Sequence, residues 1–259
     1  GKSYFQNFET IRAIEIASAK LCVHHREPST QNFTSADCLF ERGKDFEPFL
    51  HSASGALTSE IVFAGYGISA PEIEYDDFEK LAVKDKWVLV LDDLPPAARD
   101  RLKKSRRARY QSRRYKISNA KQHGAAGILF TASRPQAEQE AQTAEPDLVA
   151  LVAESNRTAK NPLQAADPIP TLAVSRNFAE RLLSTQSQSL ADLQTRIQES
   201  GKAQSHTLEN VNVFTEILIV RKPRSVRNVV GILRGSDPKL SREAIVIGAH
   251  MDHIGLGVI

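Results

Sequence analysis

Glu243-Ala244-Ile245-Val246-Ile247-Gly248-Ala249-His250-Met251-Asp252-His253-Ile254-Gly255 is the stretch on which the reading of the fold turns. Ile245, Val246 and Ile247 make a short β-branched run, the pattern of a strand buried on both faces of a sheet. Gly248 and Ala249 carry little or no side chain, so the backbone there can pass close to a neighbour. In an extended chain, residues two apart point the same way, separated by roughly 6.6 Å of rise. His250 and Asp252 therefore face one side, and the carboxylate can hold the far nitrogen of the imidazole. A metal-binding histidine uses that arrangement, because the carboxylate fixes its tautomer and raises its basicity. On local composition alone, a polar residue leaving a strand is the commoner reading of His250.

Working outward, Asn228-Val229-Val230-Gly231-Ile232-Leu233 reads as the preceding strand and Gly235-Ser236-Asp237-Pro238 as the turn between the two. In this order, over roughly thirty residues, the three pieces resemble the opening of the catalytic domain in the dizinc aminopeptidases. These form metallopeptidase family 28, with glutamate carboxypeptidase and the transferrin receptor ectodomain among its relatives. The resemblance implies that His250 is a zinc ligand and that Asp252 orients it and counts as a catalytic residue. It implies two Zn2+ per complete active site, clamping the attacking water and polarising the scissile carbonyl of a peptide or protein substrate. His253 is not a ligand in the resembled motif and is read as shaping the loop. The family's bridging Asp, Glu general base, further carboxylates and second His come later than Ile259. The chain as written is thus expected to be inactive, and its parent to be an aminopeptidase. The alternative is a non-catalytic binding or receptor module, as in relatives that keep the fold without the chemistry.

At 259 residues the chain has room for one large domain or two ordinary ones. With 41% hydrophobic and 25% charged residues, it has the composition of a globular protein, neither disordered nor membranous. No apolar run approaches the ~18 residues needed to span a bilayer, so no membrane span is expected. No signal peptide is visible, and since Gly1 is not a natural start, the true N-terminus is expected upstream. Export to periplasm or medium is implied by the resemblance alone.

The net charge of +3 conceals ten basic residues and one acid, Asp100, between Arg99 and Lys116. Tyr110 and Tyr115 add aromatics, but a solvated loop and helix face is the favoured reading of that segment, and no nucleic acid partner is expected. Cys22 and Cys38 allow one disulfide, with two separate thiols as the default, and no Cys-x-x-Cys pair suggests structural zinc. His24-His25 and His206 lie in polar surroundings and read as exposed rather than as ligands. His-Glu-x-x-His, Gly-x-Ser-x-Gly and Walker patterns are absent, which excludes those chemistries.

Along the chain, the mixed apolar spacing from Tyr4 to Val23 reads as one or two edge strands, and Glu27 to Gly55 as a polar, turn-rich linker. Ser59 to Gly67 is a strand stopped by glycines. Tyr75 to Phe78 reads as a short helical turn with acids at its positive end, and Lys86 to Leu91 as a strand anchored by Trp87. A helix over Tyr115–His123 should close at Gly124, followed by a buried strand to Phe130. Thr131 to Asp167 reads as a long loop. Ile169 to Val174 is a strand, and Ser175 caps a helix to about Leu183. An amphipathic helix over Leu190–Ile197 leads to a strand at Val211–Val220.

Within the middle block, Gly65-Tyr66-Gly67, Asp77-Phe78, Lys84-Asp85-Lys86, Asn119-Ala120, Gly124-Ala125-Ala126-Gly127 and Ile169-Pro170 resemble a protease-associated domain. In that family the module is inserted in the peptidase domain, overhangs its active site, and serves substrate access or partner contact without chemistry of its own. The fold expected is therefore α/β. Residues 1–54 and 185–259 would be early strands of an incomplete zinc-exopeptidase α/β sandwich, and 55–184 the inserted β-rich α/β protease-associated domain. Apolar surface should be left around Val229 and Ile245.

Overall fold

Trp87-Val88-Leu89-Val90-Leu91 is buried at all five positions, as a central strand covered on both faces must be. The computed structural model describes residues 4–27, 33–133, 168–240, 243 and 245–249. That strand, β7 (Trp87–Leu91), lies within its main sheet. Before it come β1 (Phe5–Arg26), β2 (Phe33–Asp37), β3 (Phe46–Pro48), β4 (Gly55–Phe63) and the short β5 (Ser69–Ala70) and β6 (Tyr75–Asp76), with a 3-10 turn at Pro71–Ile73. After it come α1 (Pro96–Arg101), α2 (Lys104–Gln111), α3 (Arg113–Gln122), β8 (Gly127–Thr131) and β9 (Thr171–Val174). The described elements end with α4 (Arg176–Ser184), α5 (Leu190–Ser200) and β10 (His206–Val229).

The strand order is β2-β1-β10-β4-β7-β8-β9-β3, while β5 and β6 pair separately. β4, β7, β8 and β9 run parallel, flanked by antiparallel β10 and β3. This is a mixed α/β fold built on a mixed sheet. Strand alternation divides its core between two faces. Trp87, Leu89 and Leu91 pack with Phe63, Leu129, Leu172 and residues of α4 and α5, including Phe178, Leu182 and Leu193. Val88 and Val90 pack with Val62, Phe130 and Ala120 of α3. Gly127 is required where β8 passes β7, since a Cβ there would overlap the Trp87 ring.

The chain divides into two compact units, Ala13–Arg221 and Gly1–Arg12 with Lys222–Ile259. In the second, the Val230 N–H donates to the Tyr4 carbonyl at 2.8 Å and the Arg227 guanidinium lies 5.4 Å from the Phe5 ring centre.

Ser175 caps α4 by accepting from the Phe178 N–H at 3.2 Å and Gly124 follows α3 at φ +83°, both as the sequence implies, and Gly201 ends α5 at φ +64°. Other expectations are corrected. The turn-rich segment from Glu27 to Gly55 contributes β2, which pairs with β1, and β3, where Phe46 and Phe49 anchor the chain in the core. Tyr75-Asp76 is a strand pair with Ser69-Ala70, so its acids serve as turn acceptors and not as helix-dipole partners. Cys22 and Cys38 are joined as a disulfide, because antiparallel pairing of β1 with β2 brings their Cα atoms to 4.2 Å. The Asn228–Leu233 strand stops at Val229, and the expected strand at Ile245–Ile247 is not formed. Those three side chains are 94%, 89% and 93% exposed, and a strand without a paired neighbour has no source of stability. Apolar surface at Val229, Ile232, Leu233 and Ile245–Ile247 matches expectation. Most of the loop expected over Thr131–Asp167 lies outside the described residues.

Candidate functional site

His250 and Asp252, the two residues singled out as metal ligand and catalytic partner, lie outside the described residues. The functional geometry that is described sits at the carboxyl ends of the four parallel strands, where open α/β sheets place their binding crevices. Gly65-Tyr66-Gly67 follows β4, Asp92-Asp93 follows β7, Ala132-Ser133 follows β8, and Ser175-Arg176 follows β9.

Two buried ionisable groups brace these loops. The Asp77 carboxylate, fully buried, accepts from the backbone N–H groups of Tyr66 and Ile68 at 3.1 Å each and from the Tyr75 hydroxyl at 2.8 Å. Gly65 holds φ +47° directly against it, and a Cβ at that position would overlap the carboxylate. Burial pushes the Asp77 carboxyl up to about 7, against the opposing pull of those three donors and of the Lys116 charge. The Tyr75 phenol is raised by the same burial and by its negative neighbour.

Lys116, on α3, is equally buried and donates from Nζ to the Leu91 carbonyl at 2.8 Å and the Asp93 carbonyl at 2.5 Å. Burial brings its ammonium down to about 8, while Asp92, Asp77 and Asp93 favour the charged form. The Arg113 guanidinium grips Asp92 at 3.0 Å from Nε and 2.5 Å from Nη2. Asp93 accepts from the Ser133 hydroxyl at 2.9 Å and from Arg99. Arg176 donates to the Ser133 carbonyl at 3.1 Å and meets the Gln194 amide at 3.2 Å, which ties α5 to the same rim.

The arrangement fixes the loops at the carboxyl ends of the parallel strands. The basic segment supplies much of it. Arg99 and Arg113 pair with Asp93 and Asp92, Arg106 approaches Glu72 at 3.6 Å, and Arg109 stacks on Tyr110 and Tyr115. Sequence reasoning missed Lys116 because nothing distinguishes it from nine basic neighbours. Asp92-Asp93 had a usable signal, two acids immediately after a fully apolar strand.

Among the described residues, one group of three side chains could hold a metal: Cys22, His24 and Cys38. Its sulfurs are joined in the disulfide, and it lacks the carboxylates of a co-catalytic zinc centre. His206, read as exposed, is half-buried, with Nδ1 3.0 Å from the Gln204 carbonyl.

The family model of the PA domain matches residues 53–182. No curated protein matches the chain. Among solved structures, an aminopeptidase from Aneurinibacillus sp. strain AM-1 is similar at 13% identity and TM-score 0.42, over 86% of this chain and 36% of that one. A zinc aminopeptidase from Bacillus subtilis is similar at 15% identity and TM-score 0.39, over 91% and 37%. The chain spans little more than a third of the length of these enzymes.

Proposed function

The chain belongs to the PA domain family through residues 53–182, and from that premise we propose that it is the front portion of a zinc-dependent aminopeptidase. Residues 1–54 and 185–259 belong to the peptidase domain on this reading, with 55–184 as the insertion. The observation that carries it is the order of the pieces: a PA module, then Asn228-Val229-Val230-Gly231, then the apolar run that ends in His250-Met251-Asp252.

In this reading His250 offers one imidazole nitrogen to the metal centre, and Asp252 accepts a hydrogen bond from the N–H of the other, which holds the tautomer. Two Zn2+ in the complete centre supply an activated water and polarise the scissile carbonyl. The PA module's own part is positional. Its carboxyl-end loops, braced by Asp77, Lys116 and the Arg113–Asp92 pair, present a fixed surface to a peptide or protein substrate. The Cys22–Cys38 disulfide favours an oxidising compartment, periplasmic or extracellular. No helix among the described residues is long and apolar enough to cross a membrane.

The test is hydrolysis of aminoacyl p-nitroanilides by the zinc-loaded parent protein and by residues 1–259 alone. The parent should turn over, His250→Ala should abolish turnover, and Asp252→Asn should lower it by roughly tenfold or more with weaker zinc retention. The 1–259 chain should be inert. Turnover that survives His250→Ala refutes the assignment, and an inert parent that still binds peptides makes the protein a receptor-like module.

A further inference from the structure

The Cys22–Cys38 bridge has a third member that a structural disulfide does not need. Along β1, Cys22 and His24 alternate with Val23 and so project from one face. In the β1–β2 ladder Val23 lies opposite Asp37 and His24 opposite Ala36, so one further step sets Cys22 opposite Cys38. The result is a triangle: both sulfurs and one His24 ring nitrogen lie within 4.8 Å of one another.

A tetrahedral Zn2+ with bonds of ~2.3 Å to sulfur and ~2.0 Å to nitrogen requires S···S of roughly 3.7 Å and S···N of roughly 3.5 Å. The two Cα atoms are 4.2 Å apart, so opening the sulfur–sulfur bond leaves the two sulfurs close to each other. Cys22 is buried and Cys38 exposed, so a reductant can reach the bond from the Cys38 side. The His24 ring has its own wall in Phe214 of β10, 6.3 Å between centres, and Lys20, two residues before Cys22 on the same face, lies 5.9 Å from that ring's centre.

We propose that Cys22, His24 and Cys38 form a redox-gated site for a thiophilic d10 cation, Zn2+ in the first instance. Oxidised, the pair is a covalent staple between β1 and the end of β2. Opening it takes a dithiol reductant, whose two thiols become a disulfide as the Cys22–Cys38 bond accepts two electrons and two protons. Zn2+ then displaces those two protons, and two thiolates and the imidazole bind it, with water in the fourth position. The staple is thereby replaced by a metal cross-link at the same place in the sheet. The inference does not depend on the peptidase reading.

The experiment uses residues 1–259, reduced with a phosphine under anaerobic conditions and titrated with Co2+ as the probe. The chain has two cysteines in all, so a thiolate-to-cobalt charge-transfer band can arise only here. One equivalent should produce that band together with the visible d–d absorption of tetrahedral cobalt, and Zn2+ should displace it. The oxidised protein should show neither. His24→Ala keeps the staple, so its fold can be verified by circular dichroism before reduction. Once reduced, it should bind roughly tenfold more weakly or worse, and Zn2+ should no longer slow re-formation of its disulfide. An absent thiolate band, a His24→Ala titration identical to wild type, or equal Co2+ binding in urea would each overturn the proposal.

Discussion

Replacing Asp77 separates two things its carboxyl does in the PA module: accepting three hydrogen bonds and carrying a charge out of water. Asp77→Ala leaves the Tyr66 and Ile68 N–H groups and the Tyr75 hydroxyl buried without their acceptor. At about 1–3 kcal/mol per orphaned donor, the loss is roughly 3–9 kcal/mol, a large part of the 5–15 kcal/mol typical of a domain. Asp77→Asn behaves differently, because its carbonyl still accepts the two N–H groups and its amide donates to a reoriented Tyr75 hydroxyl. What the amide removes is a pH dependence. The folded carboxyl keeps its proton until about 7, against 3.8 for the ordinary group, so between those values the native state binds one proton more than the unfolded. Wild-type stability therefore falls as pH rises from about 4 to 7, by at most about 4 kcal/mol relative to Asp77→Asn. Lys116 works in the other direction. It loses its proton at about 8 when folded but near 10.5 when unfolded, so stability rises with pH above 8, and the pair contributes least between about 7 and 8. Urea denaturation of both proteins at pH 4 to 9 measures the difference directly. A wild-type minus Asp77→Asn difference that stays constant from pH 4 to 7, or an Asp77→Ala protein as stable as wild type, would refute the argument.

Gly127→Ala should cost about 1–3 kcal/mol, because its Cβ meets three ring atoms of a fully buried Trp87; a lowered urea midpoint with altered Trp87 fluorescence is the readout. Reducing the Cys22–Cys38 bond, or making the double serine variant, should destabilise the chain by about 3 kcal/mol, the chain-entropy value for a 16-residue separation; an unchanged midpoint with and without reductant would exclude this. The exposed Ile245, Val246 and Ile247 should bind a hydrophobic dye and promote association of residues 1–259. Val246→Asp should lower both without shifting the melting of the Trp87 core, as light scattering and fluorescence would report.

Much of the PA module was legible because its signals are local. Continuous apolar runs at Trp87–Leu91 and Gly127–Phe130 have one stable placement, inside a parallel sheet, and Ser175 and Gly124 mark helix ends through their own backbone chemistry. The brace at Asp77 and Lys116 was not legible, since the partners are 39 positions apart in sequence and nothing in either neighbourhood announces burial. β3 was hidden for a related reason: two phenylalanines, Phe46 and Phe49, outweigh a polar segment only once the core they enter exists. The disulfide depended on β1–β2 register, which spacing alone does not set.

Local pattern and formed structure part company most sharply at Ile245–Ile247, and the reason is physical. β-Branched triplets describe a side-chain surface suited to a pleated, covered environment, and the preference is realised through neighbours. A comparable apolar run is satisfied at Val88–Val90, where β4 and β8 pair on either side and apolar side chains cover both faces. At Ile245–Ile247 the side chains face water, so the strand propensity there remains unused. On the proposed reading the missing cover is the rest of a peptidase sheet. The braced rim of the PA module then has a definite task, because loops pinned by buried charge keep their shape with or without that sheet, whereas the strand leading to His250 takes its shape only against it. Substrate-contacting surface and metal-bearing strand are, on this view, stabilised by separate contacts within one chain.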